Sequence, residues 1–278
     1  MMLLEELIIH PVSRRTLSSL ANNLPQSILI CGERGVGLYT IARALAGNHI
    51  AAELFPKDVK DNRDSESGTL TVEMIRRLYE QTRSKRVTDQ VIIIDDADRM
   101  SHGAQSAFLK LLEEPGSHVK FILTSHQPEK LLTTIRSRLQ QTTIQPITAE
   151  QTLTIIADLG VTEQVKRIQL RYIAEGLPAE LTRLASDEGQ FNAWANVISD
   201  ARDFLQADAY KRSLIVQKYR SDRPAALRLL ECAIKILRKT LSAKPQLSMV
   251  VQLELLLDLR DRVAGNQSIA LQLMQFVL

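Results

Sequence analysis

Gly32-Glu33-Arg34-Gly35-Val36-Gly37-Leu38-Tyr39 follows directly on a short apolar run at 27–31. Glycines spaced like Gly32, Gly35 and Gly37 let a backbone wrap and aim its amides at phosphate oxygens. A working phosphate loop also needs a lysine for the β/γ charge and a hydroxyl for magnesium. Leu38 and Tyr39 hold those two positions, and Thr40 comes one place too late. One reading is a vestigial phosphate loop, with Arg34 as the nearby cation that an active site would have to use instead; the other is a strained glycine turn between strand and helix that serves packing alone. A second segment, 91–98, is four aliphatics followed by Asp95-Asp96-Ala97-Asp98. It delivers carboxylates to the C-terminal end of a strand, the edge at which α/β sheets hold ligands. One reading is a Walker B strand, in which the first acid helps hold magnesium and the second orients water. The other is that these acids only cap the turn that follows.

Such groups need a sheet with covering helices, and the first half of the chain alternates accordingly. Strands are predicted at 27–31, 91–94 and 119–124; the run Val91-Ile92-Ile93-Ile94 has no polar face, as in a parallel strand buried on both sides. Helical spacing begins at Tyr39. It recurs through Val72, Ile75, Leu78 and Tyr79, and again through Ala107, Phe108, Leu111 and Leu112, with Ser101 as cap and Glu114-Pro115 as stop. From Thr148 the alternation ceases. Thr148-Ala149-Glu150-Gln151 fits a capping box, Gly160 and Gly176 are natural helix ends, and Pro178 opens a third short helix. Further helices are predicted at 191–206, 210–219, 224–241, 247–263 and 267–278. The fold class expected is α/β with a parallel sheet, then all-α.

The composition narrows the function classes. Of 278 residues, 45% are apolar and 24% charged, with 11 Gly and 9 Pro, as in a folded globular chain. A formal net charge of +3 is too small for a dedicated electrostatic grip on DNA. Arg83, Lys85 and Arg86 form a basic cluster that reads either as a DNA-facing patch or as a solvated turn before a buried strand. Trp194 and the sparse aromatics offer no platform for stacking bases. No apolar run approaches the roughly 20 residues of a membrane-spanning helix. The first ten residues carry Glu5 and Glu6 where a secretion signal would be basic, so a cytoplasmic location is expected. Cys31 and Cys232 are isolated, and the five histidines show no ligand spacing; neither a metal site nor a disulfide is expected.

Four elements occur in a telling order: Gly-Glu-Arg-Gly-Val-Gly at 32–37, Val-Ile-Ile-Ile-Asp-Asp-Ala-Asp-Arg-Met at 91–100, Phe-Leu-Lys-Leu-Leu-Glu-Glu-Pro at 108–115 and Thr-Ile-Arg-Ser-Arg at 134–138. Together they resemble the AAA+ subunits of sliding-clamp loaders, with the delta-prime kind of bacterial DNA polymerase III as the closest likeness. The resemblance implies an AAA+ module over 1–147, a helical lid over 148–204 and a helical collar for oligomerisation over 205–278. It implies a hetero-pentameric ring as partner, with the sliding clamp and primed DNA met through that complex, and no membrane. It also implies that Arg138 projects to the ATP of a neighbouring subunit as an arginine finger; taken alone, Arg138 also reads as a solvated residue at a helix end. The family's sensor-2 arginine, in a Gly-x-x-Arg setting, falls on Ala179, and its Ser-Arg-Cys element ends in Leu139. Sensor 1 is Ser125 or His126. No cysteine lies between Ile41 and Gln90, so the family's zinc module is not expected. The chain is therefore expected to hold no cofactor and to be catalytically silent by itself. An active AAA+ ATPase and an AAA+-derived adaptor outside replication are the alternatives.

Overall fold

The computed structural model describes residues 4–64, 68–82, 89–116 and 118–277, with only the backbone described at 81 and 82. The cluster Arg83, Lys85 and Arg86 lies outside the described residues. The chain forms two compact units, Met1–Ser186 and Asp187–Leu278.

The first unit begins with α1 (Pro11–Asn22), β1 (Ser27–Gly32), α2 (Leu38–Ala46) and β2 (Ile50–Leu54). Next come α3 (Val72–Thr82), β3 (Gln90–Ile94), α4 (His102–Glu113), β4 (Val119–Ser125), α5 (Thr133–Arg136) and β5 (Gln140–Ile144). The five strands are all parallel, in the order β2-β3-β4-β1-β5. Successive side chains of a strand point to opposite faces. Leu29, Ile92, Ile94, Phe121 and Leu123 accordingly pack on one side with Ile75, Leu78, Phe108 and Leu111. Ile28, Ile30, Val91, Ile93 and Ile122 pack on the other with Leu17, Leu20, Ile41 and Ala42. The aliphatic run at 91–94 is explained by this double burial.

Three short helices complete the unit: α6 (Ala149–Asp158), α7 (Gln164–Ala174) and α8 (Pro178–Ser186). Thr148 and Gln151 form the predicted capping box reciprocally, and Gly160 and Gly176 take the left-handed conformation after α6 and α7. The Gln151 side chain also donates to Ile9 O, which ties α6 back to the start of the sheet module.

The second unit is α9 (Glu188–Gln206), α10 (Ala209–Tyr219), α11 (Arg223–Ala243), α12 (Leu247–Ala264) and α13 (Ile269–Met274). α11 packs between α9 and α12, while α10 packs on α13. The compact units divide at 186/187, and α9, which the expected lid over 148–204 would include, packs on α11 and α10 within the second unit. The helix predicted at 267–278 is only six residues long. Its continuation tightens into i→i+3 bonds from Gln275 N, Phe276 N and Val277 N. Among the described residues no helix is long and apolar enough to cross a membrane.

Candidate functional site

The register of β1, β3 and β4 sets three carboxyl ends side by side, with Ile94 opposite Leu123 and Cys31 opposite Ser125. Residues just past those ends meet: Gly32 on β1, Asp95 and Asp96 after β3, and Ser125-His126 at the end of β4. This is the edge where an α/β sheet presents ligand-binding groups.

The glycine loop has the predicted backbone. Gly35 and Gly37 lie at φ 97° and 87°, conformations that favour glycine, and Gly37 opens α2. Its side chains differ from a phosphate site. Leu38 is only 3% exposed and packs into the apolar cluster of α1 and α2. Tyr39 donates to Glu53 Oε1 at 3.0 Å and meets Phe55 edge-on, ring centroids 5.1 Å apart. Burial, then the bond to Glu53, raises the Tyr39 pKa, keeping it a neutral phenol. The start of α8 lies against the same loop. Ala179 N, at the start of α8, donates to Gly35 O at 2.9 Å, and a Cβ at Gly35 would come within 3.1 Å of Glu180 Cβ.

The carboxylates are satisfied internally. Asp95 accepts from Thr124 Oγ1 at 2.7 Å and from Arg63 NH2 at 2.9 Å. The Arg63 guanidinium also lies 3.7 Å from the Phe55 ring centroid and 4.8 Å from that of Tyr39, a cation held over two aromatic faces. Asp98 accepts from Ser125 Oγ at 2.7 Å and from His126 N at 3.1 Å. His126 Nδ1 donates to Gly32 O at 2.8 Å, and its Nε2 faces Asp96 Oδ1 at 3.5 Å. Of the two sensor-1 candidates, Ser125 is turned to Asp98, and the His126 ring bridges the glycine loop and the second acid. Residues present here do not fit magnesium-bound ATP. Asp95 carries a guanidinium, the lysine position is a buried leucine, and a loop carbonyl accepts from the start of α8.

Asp96 gives this site a pH signature. Burial, and then the neighbouring Asp95 charge, raise its pKa, and its backbone sits at φ 48°. A raised carboxyl costs stability once ionised; the cost is absent below the ordinary value near ~3.9 and grows as pH rises through it. Asn tolerates the left-handed backbone, carries no charge, and its Nδ2 can donate to His126 Nε2. Asp96→Asn is expected to raise the melting temperature at pH 7, with the gain shrinking on acidification towards pH 4. Thermal melts across that range check it, and a loss of stability at pH 7 contradicts it.

Arg138 lies apart, on the surface after α5. Its NH1 donates to Thr134 O at 2.9 Å and its NH2 to Glu113 Oε1 at 2.8 Å. The approach to it is fixed by Gln105, a buried amide that accepts from Leu132 N at 2.8 Å and donates to Met100 O and Lys130 O. Sequence reasoning missed Arg63 and Gln105. Arg63 gave no signal in its polar loop; Gln105, a lone polar residue at a helical-core position, gave a faint one.

A family model described as DNA polymerase III, delta subunit, matches residues 56–148. The DNA polymerase III subunit tau of Salmonella typhimurium is 35% identical over 159 residues, 49% of this chain and 25% of that protein. The replication factor C small subunit of Aeropyrum pernix is 26% identical over 199 residues, 69% of this chain and 57% of the relative. The chain resembles AAA+ clamp-loader subunits. It spans about a quarter of tau and little over half of the archaeal protein. A DNA polymerase III gamma subunit-related protein of Thermotoga maritima shares the fold at TM-score 0.51 and 18% identity, over 95% of this chain and 96% of that one. The RuvB Holliday junction branch migration motor of the same organism shares it at TM-score 0.50 and 15% identity, over 85% and 79%. Both likenesses speak to the AAA+ fold alone.

Proposed function

We propose that this clamp-loader-like chain is a non-hydrolysing, delta-prime-like subunit of a cytoplasmic ring. In that ring, other subunits hydrolyse ATP to place a sliding clamp on primed DNA. The observation that carries the reading is the Arg63–Asp95 pair, in which the chain's own half-exposed guanidinium occupies the carboxylate that a working site would need for magnesium. Leu38, Tyr39 and Ala179 support it, since each replaces a group that would hold or sense the nucleotide. Arg138, exposed and distant from the chain's own glycine loop in the fold, is the group the chain offers outward, to a neighbour's ATP. An active ATPase would have to rely on Arg34, whose charge already favours the ionised form of Asp96.

The second unit is the assembly domain in this account. Much of its apolar sequence is spent on its own core: Leu229, Leu230, Ile234, Leu237, Leu256 and Leu259 are buried. Part of the exposed remainder lies at the start of α12, where Leu247, Val250 and Val251 are 82%, 39% and 59% exposed at one-turn spacing, and the rest is spread over Tyr210, Leu214 and Leu271. Affinity purification of the full chain from its host is expected to bring down clamp-loader subunits, and the first unit alone, ending at Ser186, to lose them. A cut inside α9 would be uninformative, because it breaks that helix. Partners outside replication would make the chain an AAA+-derived adaptor. Undiminished assembly by the first unit would move the interface elsewhere.

A further inference from the structure

We infer that Glu113 is the positioning residue for Arg138, an inference that rests on the arginine-finger reading above. The two residues belong to different elements. Glu113 is the last residue of α4, whereas Arg138 follows α5, and they meet at 2.8 Å between Oε1 and NH2. The other terminal nitrogen of the same guanidinium donates to Thr134 O at 2.9 Å. A backbone carbonyl on one side and a carboxylate on the other therefore fix the plane of the fork. This matters because an arginine side chain has many rotamers, and a planar donor acts on a phosphoryl group only from a defined orientation. Of the five N–H donors of the guanidinium, these two bonds use two, leaving others for a second acceptor.

The placement of Glu113 is not explained by helix stability. A carboxylate at a helix C-terminus faces the negative end of the macrodipole, and Glu113 is followed by Glu114 at that same end. Side-chain exposures of 52% and 40% for Glu113 and Arg138 rule out a core role for either. What the pair does achieve is to join the helix that ends in Leu-Leu-Glu-Glu-Pro to the segment that carries Ser137-Arg138. An exposed charge-assisted bond of this kind is a weak restraint, so its expected contribution is modest and specific to orientation.

The test is a double-mutant cycle in the complete ATPase complex, read as kcat and KM for ATP in the presence of clamp and primed DNA. Glu113→Ala should lower kcat about two- to fivefold, the range an exposed ion pair can supply, with KM unchanged and the melting temperature of the chain unmoved. Glu113→Gln keeps an acceptor oxygen at the same place and should lose less. In the Arg138→Ala background, Glu113→Ala should add nothing. If Arg138→Ala lowers kcat but Glu113→Ala leaves it unchanged, raises it, or adds its full effect on top of Arg138→Ala, the inference alone is overturned. If Arg138→Ala is itself silent, the finger reading and this inference fall together.

Discussion

Arg138→Ala is expected to leave the chain folded and joined to its partners, while ATP hydrolysis by the complex and clamp delivery fall. The fold tolerates the change because the side chain is exposed, and what it loses within the chain is one surface ion pair and one bond to a helix-end carbonyl. Such losses are worth within about 0.5 kcal/mol of stability. The loss in trans is of another order. A planar guanidinium aimed at a transferring phosphoryl group stabilises charge that develops only in the transition state, and fingers supplied in trans are worth roughly a thousandfold or more at one site. In a ring with several hydrolysing sites only one would lack its finger, so the measured fall is smaller than that. Arg138→Lys should recover little, since a compact ammonium does not reproduce the fork. Arg136→Ala is the control: it is exposed, sits two residues away, and is expected to act on local packing or not at all. Unchanged clamp- and DNA-stimulated hydrolysis with assembly intact would return Arg138 to the role of a solvated surface residue.

Much of the fold was legible because its signals are local. The glycine loop, the aliphatic run at 91–94 and the capping box at 148–151 each carry a pattern that one segment is sufficient to express. The edge strands β2 and β5 were not legible. Gln140-Gln141-Thr142-Thr143-Ile144 buries only Thr142 and Ile144, and an edge strand facing solvent needs no apolar run. The compact-unit division before α9 was not legible for a related reason: the periodicity of α9 shows that it has an apolar face, but not which neighbour covers that face. In the site, the sequence exposes what is missing, Leu38 for lysine and Ala179 for arginine. It does not expose what has replaced it. Arg63 reaches Asp95 across 32 positions from an irregular loop, and no spacing rule links the two.

ATP binding by the isolated chain is expected to be absent at micromolar concentrations, with or without magnesium. With Leu38 buried, a polyphosphate would meet backbone dipoles without the lysine that normally balances its charge. The metal would have to displace a guanidinium that is bound to Asp95 and stacked over Phe55. The loop would also have to release the bond from Ala179 N to Gly35 O before it could rearrange around a ligand. Each obstacle is independent of the others, so restoring Leu38→Lys and Tyr39→Thr together is not expected to revive turnover. Isothermal titration calorimetry of the full chain with magnesium and ATP is the most direct measurement. No saturable heat is expected up to at least the high micromolar range, and a one-to-one isotherm with micromolar affinity would contradict a silent site.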